Sequence, residues 1–426
     1  MWWKTIQRNS TKAARNSLAP QQLGVGVSGG CQIKVIGAAL KLEKAKKEKI
    51  SYTHVALDLK NAHNEFNRKM CQDSLDEAAQ ADDTLLPLAR AHHSTCGQPN
   101  AIYVRASSAL RGLKHLCDGR AGGPQGSALT NVTFPMLING ALKAVEAKYK
   151  GVEVRAIQDD CDIMGPPSQV FRTLNEDGTT KDEGALHFLL SELAKVDLMP
   201  NKSKFQAYLI NADSDTDEFV YPEWLKRPFV ITCPVRRAEY VTAAAVAGEA
   251  KAAAKRAPES GKEEAEANAQ ATAEIAKAIR NAIPDGSRAY GVTVCGAALG
   301  DDDYIADFLL GKEKGICGSI ATASPGKIVS ITKALAEVSA HAASTAIYYS
   351  LQSRVDYLLE THLPHHTLEL AKAVDCALRK AYKIAFDMDL LDPNGQAPDQ
   401  EDPSFLCSGR LRLPLHGAAR RLSQCA

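Results

Sequence analysis

The sequence predicts an α+β fold, and three observations predict it. Short runs rich in alternating apolar residues stand apart from longer Ala-, Leu- and Lys-rich runs of helical period. The two kinds follow one another as strand, helix, strand, helix, hairpin, helix, strand, an order suited to helices layered on one sheet face. Two β-type runs flank Ile157-Gln158-Asp159-Asp160 closely enough to form a hairpin.

Taken in order, Met1 to Arg15 has no acid and holds Lys, Arg and Ser. That composition suits a basic helix of the main fold or, as the lesser reading, a mitochondrial presequence. Residues 18–30 form a Pro/Gly-rich loop, and about 31–48 form a helix. Gly24, Gly26, Gly29 and Gly30 are not a phosphate cradle, because no strand precedes them and no Gly-Lys-Ser/Thr follows. A strand over 52–59 brings Asp58 to its end. Helical patterning covers 64–79, another strand covers 100–105, and Gly122-Gly123-Pro124 breaks the chain before a helix over 125–148. After the hairpin at 152–164 come a helix at about 184–196 and a strand at 205–210. Residues 241–283, dominated by Ala, Glu and Lys and broken at Pro258 to Gly261, predict two exposed helices. They read as a solvated surface insertion, with a partner-binding helix pair as the sharper alternative. Amphipathic helices are predicted over 326–350, 353–361 and 366–385. A Pro-, Gly- and Asp-rich stretch at 391–403 leads to a short basic tail.

With 426 residues, 45% hydrophobic and 24% charged, the chain has the size and composition of a soluble globular protein of two or three domains. Its net charge of +1 gives no overall nucleic-acid signature, although residues 1–50 carry ten Lys/Arg against two Glu. Acidic patches stand at Asp213, Asp215, Asp217 and Glu218, and at Asp301 to Asp303. The eleven cysteines show no C-x-x-C and no zinc spacing, so no zinc is expected. No run of eighteen apolar residues occurs, so no membrane span is expected. An intracellular setting, nuclear or cytoplasmic, is predicted, with a mitochondrial one less favoured.

Asp159 and Asp160 carry the chemical signal. Two adjacent ionised carboxylates repel one another and call for cations or a protonated partner. Alone, the pair is open to two readings: a solvated turn, since Asp caps and bends chains, or a site for hard divalent metals with oxygen ligands. Asp162 follows on the face of Asp160, as an accessory acid or a solvated one.

The wider order of residues decides between these readings. Asp58 precedes Asn61-Ala62-His63-Asn64, Gln125-Gly126 opens a later helix, and the Asp-Asp hairpin comes third. This set resembles the palm of reverse transcriptases and looks most like those of non-LTR (LINE-type) retrotransposons. Pro20-Gln21-Gln22-Leu23-Gly24, Leu198-Met199-Pro200-Asn201-Lys202-Ser203-Lys204 and Val294-Cys295-Gly296-Ala297-Ala298-Leu299-Gly300 are also similar to that family. The resemblance implies a right-hand polymerase, with an antiparallel palm sheet bearing helices on one face and a helical thumb. It implies two Mg²⁺ ions, or Mn²⁺, on Asp58, Asp159 and Asp160, with Asp58 and Asp159 bridging. It further implies a Leu59 backbone holding triphosphate, Gln125 and Gly126 under the incoming nucleotide, and Lys204 neutralising pyrophosphate. An RNA template, a DNA primer and deoxynucleoside triphosphates would be the partners.

Departures accompany the likeness. His63 stands where the family has an aromatic residue screening the sugar 2′ position, and Ile157-Gln158 stand where an aromatic and a small residue are usual. The fingers are expected to be largely missing. The expected division is a fingers remnant with lead-in helix over 1–50, palm 51–210, acidic linker and helical insertion 211–290, palm–thumb connection 291–325, thumb 326–390 and tail 391–426. Lys327, Lys333, Arg354, Lys372, Arg379, Lys380 and Lys383 are the thumb's phosphate-binding candidates. The alternative is a catalytically inactive transposon relic that keeps the palm fold and binds nucleic acid. A metal-dependent phosphatase or nuclease is disfavoured, since neither needs a Gln-Gly helix start.

Overall fold

The computed structural model describes residues 2–105, 113–123, 127–211, 219–310, 327–351 and 355–386. The chain divides into two compact units, residues 1–227 with 292–296, and residues 228–291 with 297–426. Gln125, Gly126, Arg354, the acidic patch at 213–218 and the tail at 391–426 lie outside the described residues. Both units are mixed α and β with antiparallel strand pairing. Among the described residues, no helix is long and apolar enough to cross a membrane.

In the first unit the elements run α1 (Trp2–Leu18), α2 (Gly30–Glu48), β1 (Tyr52–Leu57), α3 (Ala62–Glu65), α4 (Arg68–Ala81), α5 (Leu86–Cys96), β2 (Asn100–Arg105) and β3 (Leu113–Gly119). There follow α6 (Thr130–Lys148), β4 (Glu153–Ile157), β5 (Asp160–Gly165), α7 (Pro167–Val170), β6 (Thr173–Leu174), β7 (Thr180–Asp182), α8 (Gly184–Ala194) and β8 (Gln206–Ile210).

The main sheet has the order β4-β5-β1-β8, antiparallel throughout. Alternation sends Val55, Leu57, Val154, Ala156, Cys161 and Ile163 to one face. There they join Phe134, Leu137, Ile138 and Leu142 of α6 in one core. α6 is buried nearly all round because it packs against α1, α4, α8 and β4 at once.

The other face carries His54, Ala56, Asp162, Met164 and Tyr208. It is covered by α2, whose Lys34 reaches Asp162 and whose Lys46 lies over the Tyr208 ring. Helices on one face only is therefore corrected to helices on both. The second face has buried polar groups of its own that require a partner.

α4 starts where the Asn67 side chain accepts from Met70 N at 3.1 Å, an N-cap. α6 begins at Thr130, five residues later than the sequence pattern places it. β3, which pairs with β2, was not foreseen: Lys114, His115 and Asp118 break its alternation.

The second unit holds β9 (Phe229–Ile231), α9 (Pro234–Arg256), α10 (Lys262–Asn281), β10 (Arg288–Val294, whose residues from 292 on belong to the first unit), β11 (Ala297–Gly300), α11 (Asp302–Leu310), α12 (Lys327–Ala336), α13 (Ala340–Ala346), α14 (Asp356–Thr361) and α15 (Pro364–Phe386). Its sheet order is β11-β10-β9. α9 and α10 pair as a largely exposed hairpin, as the Ala/Glu/Lys composition predicts. The helix expected over 326–350 is broken at 337–339, and residues Ile347–Leu351 take π-helical form. Ile328, Ala343, Leu370, Val374 and Ala381 share the unit's core with Tyr304 and Phe308 of α11.

Candidate active site

Strand register places the site. β1 and β5 pair Ala56 with Asp162 and Leu57 with Cys161, so the next step puts Asp58 opposite Asp160. Lys204 comes from the 3-10 turn Lys202–Lys204 just before β8 and reaches Asp58 through its side chain. Asp160 at the start of β5, Asp58 just past β1 and Lys204 just before β8 are thus brought together. They line a cleft of about 400 Å³ together with Lys34, Asp162, Lys226 and Thr293.

Asp58 is held from the β8 side. Its Oδ1 accepts from Lys204 Nζ at 3.2 Å and its Oδ2 from Asn201 Nδ2 at 2.9 Å. Asn201 N also donates to Asp58 O at 2.9 Å, so the Pro200-Asn201 segment extends the pairing past β1. Lys204 is mostly exposed, and its ion pair contributes at most about 1 kcal/mol. Lys202 instead lies over the Trp224 ring, 5.0 Å from its centroid.

Beneath the acids lies a buried polar group that the sequence reading missed. Lys34 of α2 donates to Asp160 O at 2.8 Å and lies 3.2 Å from Asp162 Oδ1. His54 Nε2 lies 3.2 Å from Asp162 Oδ2. The Lys34, His54 and Asp162 side chains are 0%, 0% and 3% exposed, which overturns the solvated reading of Asp162. Burial alone would raise the Asp162 carboxyl. The Lys34 ammonium and His54 outweigh it, and the net displacement is downward. Lys34 shows the converse: burial would lower it, yet Asp162 carries it upward. Asp160 reaches the surface, but partial burial, with Asp159, Asp162 and Asp58 nearby, pushes its carboxyl up against the pull of Lys34.

The hairpin turn is braced from two sides. Gln158 sits at φ 58°, a left-handed conformation that costs a non-glycine residue about 1 kcal/mol. Gln22 spans it, donating Nε2 to Gln158 O at 2.8 Å and accepting from Gln158 N at 3.2 Å. Leu23 N donates to Ala156 O and Ala156 N to Gln21 O, so the Pro20-to-Gly24 segment lies along β4. From α6, Pro135 has no N–H to offer Asn131 O four residues earlier. That carbonyl accepts instead from Gln158 Nε2 at 2.9 Å.

The other candidates divide. Asp159 is half-buried in the turn and is not among the residues lining the cleft. The oxygens of Asp58, Asp159 and Asp160 do not close as a set within 4.8 Å of one another. The Leu59 side chain belongs to the core, 5% exposed. The His63 ring packs on Phe134, with centroids 4.7 Å apart, and His63 O accepts from Gly123 N at 2.7 Å. As for metal, Asp58 and Asp160 offer the cleft carboxylate oxygens, the donor type that hard divalent cations prefer, beside the ammonium groups of Lys34, Lys204 and Lys226.

No protein-family model matches the chain, and no curated protein matches it significantly. Among solved structures it is similar to an apo telomerase from Candida tropicalis truncated from its C-terminal domain, at 14% identity and a TM-score of 0.34. The match covers 50% of this chain and 41% of the telomerase chain.

Proposed function

We propose that the chain is a template-directed nucleotidyl transferase of reverse-transcriptase type. It would extend a DNA primer along an RNA template with deoxynucleoside triphosphates. The observation that carries this reading is the opposition of Asp58 and Asp160 at adjacent strand ends, flanked by Lys204. Asp58, Asp159 and Asp160 are the residues to hold two Mg²⁺ ions, with Mn²⁺ as a substitute. Bound there, such ions neutralise charge at phosphorus and make the primer hydroxyl more nucleophilic. Lys204, beside Asp58, would offset charge on the leaving pyrophosphate. Lys34 holds the Asp160 main chain from below, and Gln22 fixes the turn that carries Asp159. The ordered motifs of the chain support a LINE-type origin. The helices of the second unit are assigned the thumb's role of gripping duplex phosphates.

One observation favours a second reading, an inactive relic that still binds nucleic acid. Both Asp58 oxygens are already engaged, by Lys204 and Asn201. Filter binding and primer extension on the full chain separate the two. The polymerase extends a primed RNA in Mg²⁺ or Mn²⁺. The relic retains RNA in a salt-dependent manner and extends nothing.

A further inference from the structure

We infer that Asp302, His365 and His366 form a site for a borderline divalent cation, Zn²⁺ in the first instance. The site lies within the second unit, apart from the acidic cleft, and does not depend on the proposed polymerase activity. Ligand atoms of these three side chains lie within 4.8 Å of one another. Among the described residues they are the only group of three such donors to do so. His366 Nε2 is 3.1 Å from Asp302 Oδ1, and the two histidine rings stand 3.9 Å apart between centroids.

The fold builds this arrangement from two helix starts. Asp302 opens α11 directly after β11, and His365 and His366 sit in the first turn of α15. The neighbouring His362 takes no part. Its Nε2 accepts from Ala298 N at 3.1 Å, and its Nδ1 lies 2.9 Å from Leu358 O. That bond ties the turn between α14 and α15 to β11, and the next two imidazoles lie beside Asp302.

The donors choose the cation. Two imidazoles and one carboxylate are a Zn²⁺ set, whereas Mg²⁺ and Ca²⁺ prefer oxygen alone. Tetrahedral Zn²⁺, with bonds of about 2.1 Å, brings its ligand atoms to roughly 3.4 Å from one another. The Asp302–His366 pair is already near that spacing, and exposed His365, whose ligand atom lies within 4.8 Å of both, has room to move. Three protein ligands leave the fourth position for water. Bound metal would fasten the start of α11 to the start of α15, so the structural readout is stability.

The test uses the full chain, stripped with a chelator and dialysed. Zn²⁺ alone is titrated by calorimetry, and Co²⁺ is substituted to report coordination by its visible absorption. Wild type is compared with Asp302→Asn and with His365→Ala/His366→Ala. The expected result is one Zn²⁺ equivalent lost in the double variant. Asp302→Asn, at a side chain 77% exposed, keeps the fold and weakens affinity at least tenfold. Saturating Zn²⁺ should raise the melting temperature of wild type by about 5 °C and of the variants by less. Unchanged stoichiometry and affinity in both variants, or no Zn²⁺ bound by wild type, reduces the cluster to an Asp302–His366 hydrogen bond and overturns the inference.

Discussion

Lys34 and Asp162 form a buried ion pair directly under the acidic cleft, with Nζ 3.2 Å from Oδ1. Both side chains are almost wholly buried, so each charge depends on the other. Lys34→Met leaves Asp162 buried beside His54 without the ammonium that offsets its charge. It should cost about 3–5 kcal/mol in urea unfolding. The double variant Lys34→Met/Asp162→Leu should recover much of that loss. Additive losses would show that the two charges do not act as a pair.

Gln22 should matter out of proportion to its size. It is fully buried and bonds Gln158 on both main-chain sides. Gln22→Ala strands those groups and is expected to cost about 1–3 kcal/mol. Amide exchange at Gln158 should quicken while that of β1 holds. Exchange that stays slow at Gln158 would place the turn's rigidity elsewhere, in Gln158 Nε2 to Asn131 O.

His92 gives the chain an acid-sensitive spot. Burial, with help from Arg68, takes it from about 6.5 down to about 4, and its Nδ1 faces Gln72 Oε1 at 2.9 Å. Below pH 6.5 the unfolded chain takes up a proton that the folded chain refuses until about pH 4. Stability from this residue is therefore full above pH 6.5 and declines through that window, by about 3 kcal/mol at most. His92→Gln should flatten the decline between pH 7 and 4.5 in urea titrations. An identical pH dependence in the variant would contradict this assignment.

Much of the fold was legible where its signals are local. Alternation marked β1 and the hairpin, and Ala/Glu/Lys composition marked the α9–α10 pair. The polar group under the cleft was not, because a lysine in a Lys-rich helix reads as solvated. A signal was present, however. Gly30, Lys34, Ala38, Leu42 and Ala45 make one buried stripe, and Lys34 is its only charge. Alternation also puts His54 on the face of Asp58, where Asp162 lies. β3 and β9 escaped because one is broken by charges and the other is three residues long. The Asp302–His365–His366 cluster needed the fold, since more than sixty positions separate its parts in sequence.

Lys204→Ala bears on the site's chemistry apart from its folding. Its ion pair with Asp58 is largely exposed, so stability should change by less than about 1 kcal/mol. Primer extension should nonetheless slow by about 10²-fold, as for loss of a positioned acid or cation. Equal rates in variant and wild type would leave Lys204 a surface partner of Asp58.

The proposed function rests on Asp58, Asp159 and Asp160 as the catalytic carboxylates. The most direct measurement is incorporation of deoxynucleotides on a primed RNA template, in Mg²⁺ and in Mn²⁺, by wild type, Asp58→Asn and Asp159→Asn. Wild type should show template-dependent extension that disappears in both variants, with folding intact by circular dichroism. Equal incorporation by wild type and variants would contradict it.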